Sequence, residues 1–159
     1  MKQRRVIRLI QAAAIVVVTG LAGASRSETK SETKSETRVE KIVVVTTKKT
    51  GLDQLPASIV KDLFLARTTE YRGVTLIPLT PDTKAEIYKA FVGGTLGLSP
   101  SDEAAYWEQA KRERRARPLS ISNSKLLQRF LLSRPGVVTF MYESEFATLA
   151  AFLIKLSEV

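Results

Sequence analysis

The chain has 159 residues, neither cysteine nor histidine, and 25 Lys+Arg against 16 Asp+Glu, a formal net charge of +9. Without imidazole or thiol there is no Ser-His-Asp triad, no Cys-His nucleophile, no zinc finger and no disulfide framework. A hydrophobic content of 44% and a charged content of 26% are those of an ordinary globular domain, so carboxylate, Lys, Tyr or Ser chemistry and plain binding stay open.

Residues 1–24 read as a secretory signal. Lys2, Arg4, Arg5 and Arg8 precede an apolar run at 9–21, which closes on Ala22-Gly23-Ala24, a small-residue cleavage pattern. An uncleaved anchor is the competing reading, but the run falls short of the roughly 20 apolar residues a spanning helix needs. No cysteine follows, which excludes a lipoprotein anchor. Cleavage near Ala24 makes the product periplasmic or secreted, and the membrane is met only through the signal segment. Removing the four cations of 1–24 lowers the net charge from +9 to +5. The basicity is then largely an export feature, and nucleic acid is not an expected partner.

Residues 25–40 hold three copies of a four-residue unit, SETK-SETK-SETR. In a helix, Glu28, Glu32 and Glu36 would stack on one another, as would Lys30, Lys34 and Arg38, and like charges at that spacing destabilise. The unit has no apolar residue to offset the entropy of ordering it. The three units read as a solvated tether of at most about 40 Å.

Residues 41–159 read as one folded domain. Residues 42–46 form a β-branched apolar run, the pattern of a strand buried on both faces. Pro56 opens a helix that carries Ile59, Val60, Leu63 and Phe64 inward. A turn at Arg72-Gly73 precedes a second strand at 74–79. Thr83 and Glu86 then have capping-box spacing, with Asp82 a competing cap, for a helix that turns Ile87, Ala90 and Phe91 inward and ends near Gly93-Gly94. Ser99, Pro100 and Asp102 restart a helix in the same way. Lys111 to Arg117 is a basic stretch, either a solvated helix end or a docking patch for an acidic partner. Ser122-Asn123-Ser124 caps a helix with Leu126, Leu127, Phe130 and Leu131 on one face, and Arg134-Pro135-Gly136 stops it before a strand at 137–141. The C-terminus reads as a helix through Phe146, Leu149, Ala150 and Leu153, or as a strand over 152–159. Strands alternating with helices predict an α/β domain with a mainly parallel sheet flanked by helices.

The order of these signals resembles short proteins related to the phosphate ABC-transporter substrate-binding proteins. The resemblance runs from Ile42 to Phe140 and rests on a series of features: Leu63-Phe64-Leu65, then Tyr71 and Gly73, the strand Ile77-Pro78-Leu79, Phe91, the step Leu96-Gly97-Leu98-Ser99-Pro100, the pair Tyr106-Trp107, and Arg134-Pro135-Gly136-Val137-Val138. It implies a single periplasmic-binding-protein-like lobe, no enzymatic activity, no cofactor and no metal. It also implies a phosphate-holding turn after the second strand, here Thr80-Pro81-Asp82-Thr83-Lys84. The family's Arg and Ser-Gly-Thr step are absent from that turn, and Thr83 and Lys84 keep suitable chemistry.

Two candidate sites follow. One is the turn with Thr80, Thr83 and Lys84, at a helix start whose free N–H groups suit an anion. The other is the end of the first strand, Thr46, Thr47 and Lys48 followed by Lys49 and Thr50, because ligands of open α/β sheets bind beyond strand carboxyl ends. Mere capping and a polar loop are the bland readings. If both loops act together, they lie on one rim and share one concavity. The expected partner is a small oxyanion, phosphate first. The alternative is an envelope protein docking on a module whose ligand site has decayed. Tyr106 and Trp107 are expected to pack inward, and no carboxylate pair suits acid–base catalysis.

Overall fold

The structure, a computed structural model, describes residues 40–159. The signal segment and all but the last residue of the repeat tether lie outside the described residues. Among the described residues no helix is long and apolar enough to cross a membrane.

Among the described residues seven strands and five α-helices follow in the order β1 (Ile42–Thr47), α1 (Ala57–Phe64), β2 (Glu70–Tyr71), β3 (Val74–Thr75), β4 (Ile77–Thr80), α2 (Glu86–Phe91), α3 (Pro100–Arg112), β5 (Leu119–Ser120), α4 (Ser124–Ser133), β6 (Val137–Tyr142), α5 (Glu143–Leu149) and β7 (Leu153–Glu158). The main sheet has the order β5-β4-β6-β1-β7, and β2 and β3 form a separate hairpin. β5, β4 and β6 are parallel to one another, whereas β1 is antiparallel to both β6 and β7. Four of the five strands therefore run one way, and β1 alone runs the other. The α/β lobe with a mainly parallel sheet is as the sequence predicts.

The sheet buries both faces. On one, Val44, Val138 and Phe140 pack against Leu63 and Phe64 of α1 and Ile87, Tyr88 and Phe91 of α2. On the other, Val43, Val45 and Val137 meet Leu127 and Leu131 of α4. This explains the uninterrupted apolar run of β1, all six of whose residues are buried. Phe91 stacks on Phe140 at 3.9 Å between ring centres, and Phe64 meets both rings edge-on at 4.9 and 5.5 Å.

Several local expectations are met. Ser99 accepts from the Asp102 N–H while the Asp102 carboxylate reaches back to Ser99, with Pro100 in the first turn of α3. The Asn123 side chain accepts from the Leu126 N–H at the start of α4. The C-terminus is both alternatives in succession, α5 and then β7.

Others are corrected. Residues 74–79 do not form one strand: Leu76 separates β3, which returns to β2, from β4, which joins the main sheet. The helix expected to be capped at Thr83 is capped at Ala85, two residues later. Asp82 is the residue that decides this, since its carboxylate accepts the Lys84 N–H at 2.9 Å and its carbonyl accepts the Ala85 N–H at 2.9 Å, closing a turn over 82–85. Glu86 pairs forward with Lys89 at 2.7 Å instead of back to a cap. Tyr88, not Ala90, faces inward; Ala90 is exposed. The helical path continues past Gly93-Gly94 as a π-helical segment, Val92–Leu96, and ends at Gly97 with φ +68°.

Thr139 of β6 is fully buried, and its Oγ1 is the only buried side-chain polar atom without a partner among the described residues. Valine has nearly the same shape and carries no hydroxyl to desolvate. Thr139→Val is therefore expected to stabilise the fold by about 1 kcal/mol, read as a higher urea midpoint at an unchanged slope. An unchanged or lower midpoint would mean that the hydroxyl has an unseen partner.

Candidate functional site

The sheet register decides how the two candidate loops are placed. Thr46 pairs with Val138, and Val138 pairs with Pro78, so the end of β1 lies level with the beginnings of β6 and β4. The chain leaves β1 at that rim. It leaves β4 for Thr83 and Lys84 at the other rim, where β6 ends at Tyr142 opposite Ile42. The reversed direction of β1 thus puts the two loops at opposite edges of the sheet, and they share no concavity.

At the first rim the threonines are committed to the fold. The Thr46 hydroxyl donates to the Val137 carbonyl at 2.7 Å, so in its 2.8 Å contact with Thr50 it must accept. Thr50 in turn accepts from the Gly136 N–H at 3.1 Å. The Thr46 and Thr50 hydroxyls are thus both used, and Thr46 is fully buried. Thr47 accepts from the Lys49 N–H in starting a 3₁₀ turn, Lys48–Thr50. Lys48 donates to the Ala151 carbonyl at 3.0 Å. These groups staple β1 to β6 and to the entry of β7.

At the other rim Thr80 is also buried, and its carbonyl accepts from the Ile121 N–H at 2.9 Å. It borders a recess of about 10 Å³, with room for no more than about one water. Beside that recess Tyr88 donates to Glu103 at 2.5 Å, and Glu103 pairs with Arg117 at 3.0 Å. Burial, first, and the bond to Glu103 push the Tyr88 phenol well above its ordinary range. Thr83 and Lys84 stand in the turn over 82–85, and Lys84 is exposed.

The same rim opens a concavity of about 610 Å³ between the β4 turn, α4 and α5. Its floor is apolar, with Ile87, Ile121, Leu131 and Phe140. Its rim holds Asp82, Ser122, Ser124, Lys125, Ser144 and Glu145. Lys125 forms no ion pair among the described residues. Glu145 accepts from the Tyr142 N–H at 3.2 Å, and Glu40 accepts from Ser144, so the chain enters the fold beside this opening. The predicted turn contributes Pro81 and Asp82 to the wall, while Thr80, Thr83 and Lys84 are not part of it. Sequence reasoning took Ser122-Asn123-Ser124 only as a cap. The signal for more was Lys125 in the first turn of α4, the same pairing of hydroxyl and ammonium at a helix start that drew attention to Thr83 and Lys84.

The basic stretch is only partly free. Arg115 donates to the Leu65 carbonyl and to the Tyr106 hydroxyl and pairs with Glu113, whose carboxyl it holds below the usual range. Tyr106 itself donates to Leu65 at 2.7 Å. Arg117 lies 5.3 Å above the Trp107 ring. Tyr106 and Trp107 are therefore half-buried under arginines, and Lys111, Arg112 and Arg114 are the exposed cations of the stretch that make neither of these contacts, Arg117 being exposed but paired with Glu103.

The sequence matches no protein-family model and no curated protein. Its fold, by contrast, matches solved structures. A protein described as a possible phosphate-binding protein from Planctomyces limnophilus superposes with a TM-score of 0.55 at 12% identity, over 74% of this chain and 40% of that one. A protein assigned as a phosphate ABC transporter substrate-binding protein from Clostridium perfringens, solved with bound phosphate, gives 0.55 at 10% identity, over 74% and 44%. An ABC-type phosphate transport receptor from Vibrio cholerae gives 0.50 at 10% identity, over 66% and 41%. The fold is similar to that of part of each of these structures. This lobe spans less than half the length of the structures it matches, and at such identities the likeness is one of fold alone.

Proposed function

We propose that this chain is an exported, non-enzymatic binding protein that takes a small oxyanion, phosphate first, at the rim where β4 and β6 end. The observation that carries the reading is the polar-edged concavity at the carboxyl ends of two parallel strands, where ligands of such sheets bind. Lys125 supplies an ammonium that forms no ion pair among the described residues, Ser122 and Ser124 supply hydroxyls, and the first turn of α4 lies on the same wall. One Asp82 oxygen is occupied by the Lys84 N–H. Export rests on residues 1–24, and the likeness to phosphate-binding proteins supports the choice of ligand.

Calorimetric titration of the protein with phosphate and with sulfate is expected to give saturable heat. Lys125→Ala should weaken the binding about tenfold, the scale of one charge-assisted hydrogen bond. Silence at millimolar ligand would end this reading. The second reading, an interaction module docking on an envelope protein, is favoured by the exposed Lys111, Arg112 and Arg114.

A further inference from the structure

The outer edge of the main sheet carries a second surface, whose lining shares only Ile121 with that of the oxyanion concavity. β5 is the last strand of the sheet and pairs only with β4. The Ile121 N–H turns toward Thr80. The alternation of a parallel ladder then turns the N–H and C=O of Ser120 outward, where no other strand among the described residues meets them. Beside this edge lies a concavity of about 320 Å³ walled by Ile77, Leu79, Leu119, Phe130 and Val137. Leu119 is 65% exposed and Ile77 44%. Arg134 is the one ionisable side chain in the lining. Its guanidinium sits 5.4 Å from the centre of the Phe130 ring and has no carboxylate partner among the described residues.

We propose that this groove takes an extended peptide segment of a partner protein, which adds to the β5 edge, places alternate apolar side chains against Leu119 and Ile77, and sets a carboxylate on Arg134. Each part of the occupant's chemistry answers one feature. Unpaired main-chain groups ask for a strand, exposed aliphatic walls ask for apolar side chains at alternate positions, and a lone arginine held by an aromatic face asks for a carboxylate. Pro118 precedes β5 and has no N–H, so the edge offers one outward donor, at Ser120. Recognition therefore falls mainly on the side-chain groove and on Arg134.

The test uses the full chain and a fluorescein-labelled hexapeptide of alternating valine and threonine with a free C-terminal carboxylate. Its C-terminal amide and a version with proline at a central position serve as comparisons. Fluorescence anisotropy is expected to show saturable binding of the acid. The amide, and separately Arg134→Gln, should bind about tenfold more weakly, and the proline peptide and Leu119→Lys should not bind. Leu119 and Arg134 are exposed, so both variants keep the fold, which far-ultraviolet circular dichroism verifies. No saturation by the acid at millimolar peptide overturns the proposal, as does wild-type binding by both variants. Sedimentation showing self-association that Leu119→Lys abolishes also overturns it, by making the groove a contact between copies. The phosphate titration turns on Lys125 and the peptide titration on Leu119 and Arg134, residues of different linings, so the two results fail independently.

Discussion

Replacing Gly136 by alanine is expected to lower the unfolding free energy by about 2–5 kcal/mol, one of the largest effects of any single substitution in this chain. Two costs add. Gly136 has φ +84°, a region in which a Cβ strains the backbone. A Cβ there would also stand 2.5 Å from the Thr75 carbonyl oxygen, and that neighbour is main chain, which cannot swing aside. Relief requires moving either β3 or the start of β6. Such a shift would disturb the Ile77 N–H bond to the Gly136 carbonyl at 2.8 Å and the Gly136 N–H bond to Thr50. In a domain of this size the loss corresponds to a fall of about 10 °C or more in melting temperature. A change within about 2 °C, small on that scale, would show that the turn at 134–136 repacks freely.

The second large effect belongs to Phe140. Its ring is 1% exposed and touches Phe64, Tyr88 and Phe91, so it joins α1 and α2 to the sheet. Phe140→Ala is expected to cost about 3–5 kcal/mol through lost burial and an unfilled cavity. Phe140→Leu keeps most of the volume and should recover more than half of that loss. The order wild type, leucine, alanine in denaturant midpoint checks the argument. Equal loss in both variants would mean that ring stacking, not filled volume, holds this layer together.

Much of the lobe was legible before any coordinates. The unbroken apolar run of β1, the reciprocal cap at Ser99 and Asp102, the Asn123 cap and the stop at Arg134-Pro135-Gly136 are local signals, and each has a local physical cause. Strand direction is not local. Nothing in Ile42–Thr47 states that this strand opposes its neighbours, and that one fact separated two loops expected to act together. The start of α2 failed for a different reason: several side chains competed for one role, and Asp82 closed a turn that Thr83 was expected to cap. The opening at the β4–β6 rim was half visible, since Ser122 and Ser124 had been read, but as capping chemistry only, and Lys125 beside them had not been read at all.

The reversal of β1 also bears on how the chain reaches its native state. Among the described residues, Ile42–Thr47 pairs only with Val137–Tyr142 and Leu153–Glu158. Both partners follow it far along the chain. A nascent chain must therefore carry a bare Val43-Val44-Val45 segment until those strands are made, which favours slow closure and exposes the segment to aggregation in the interval.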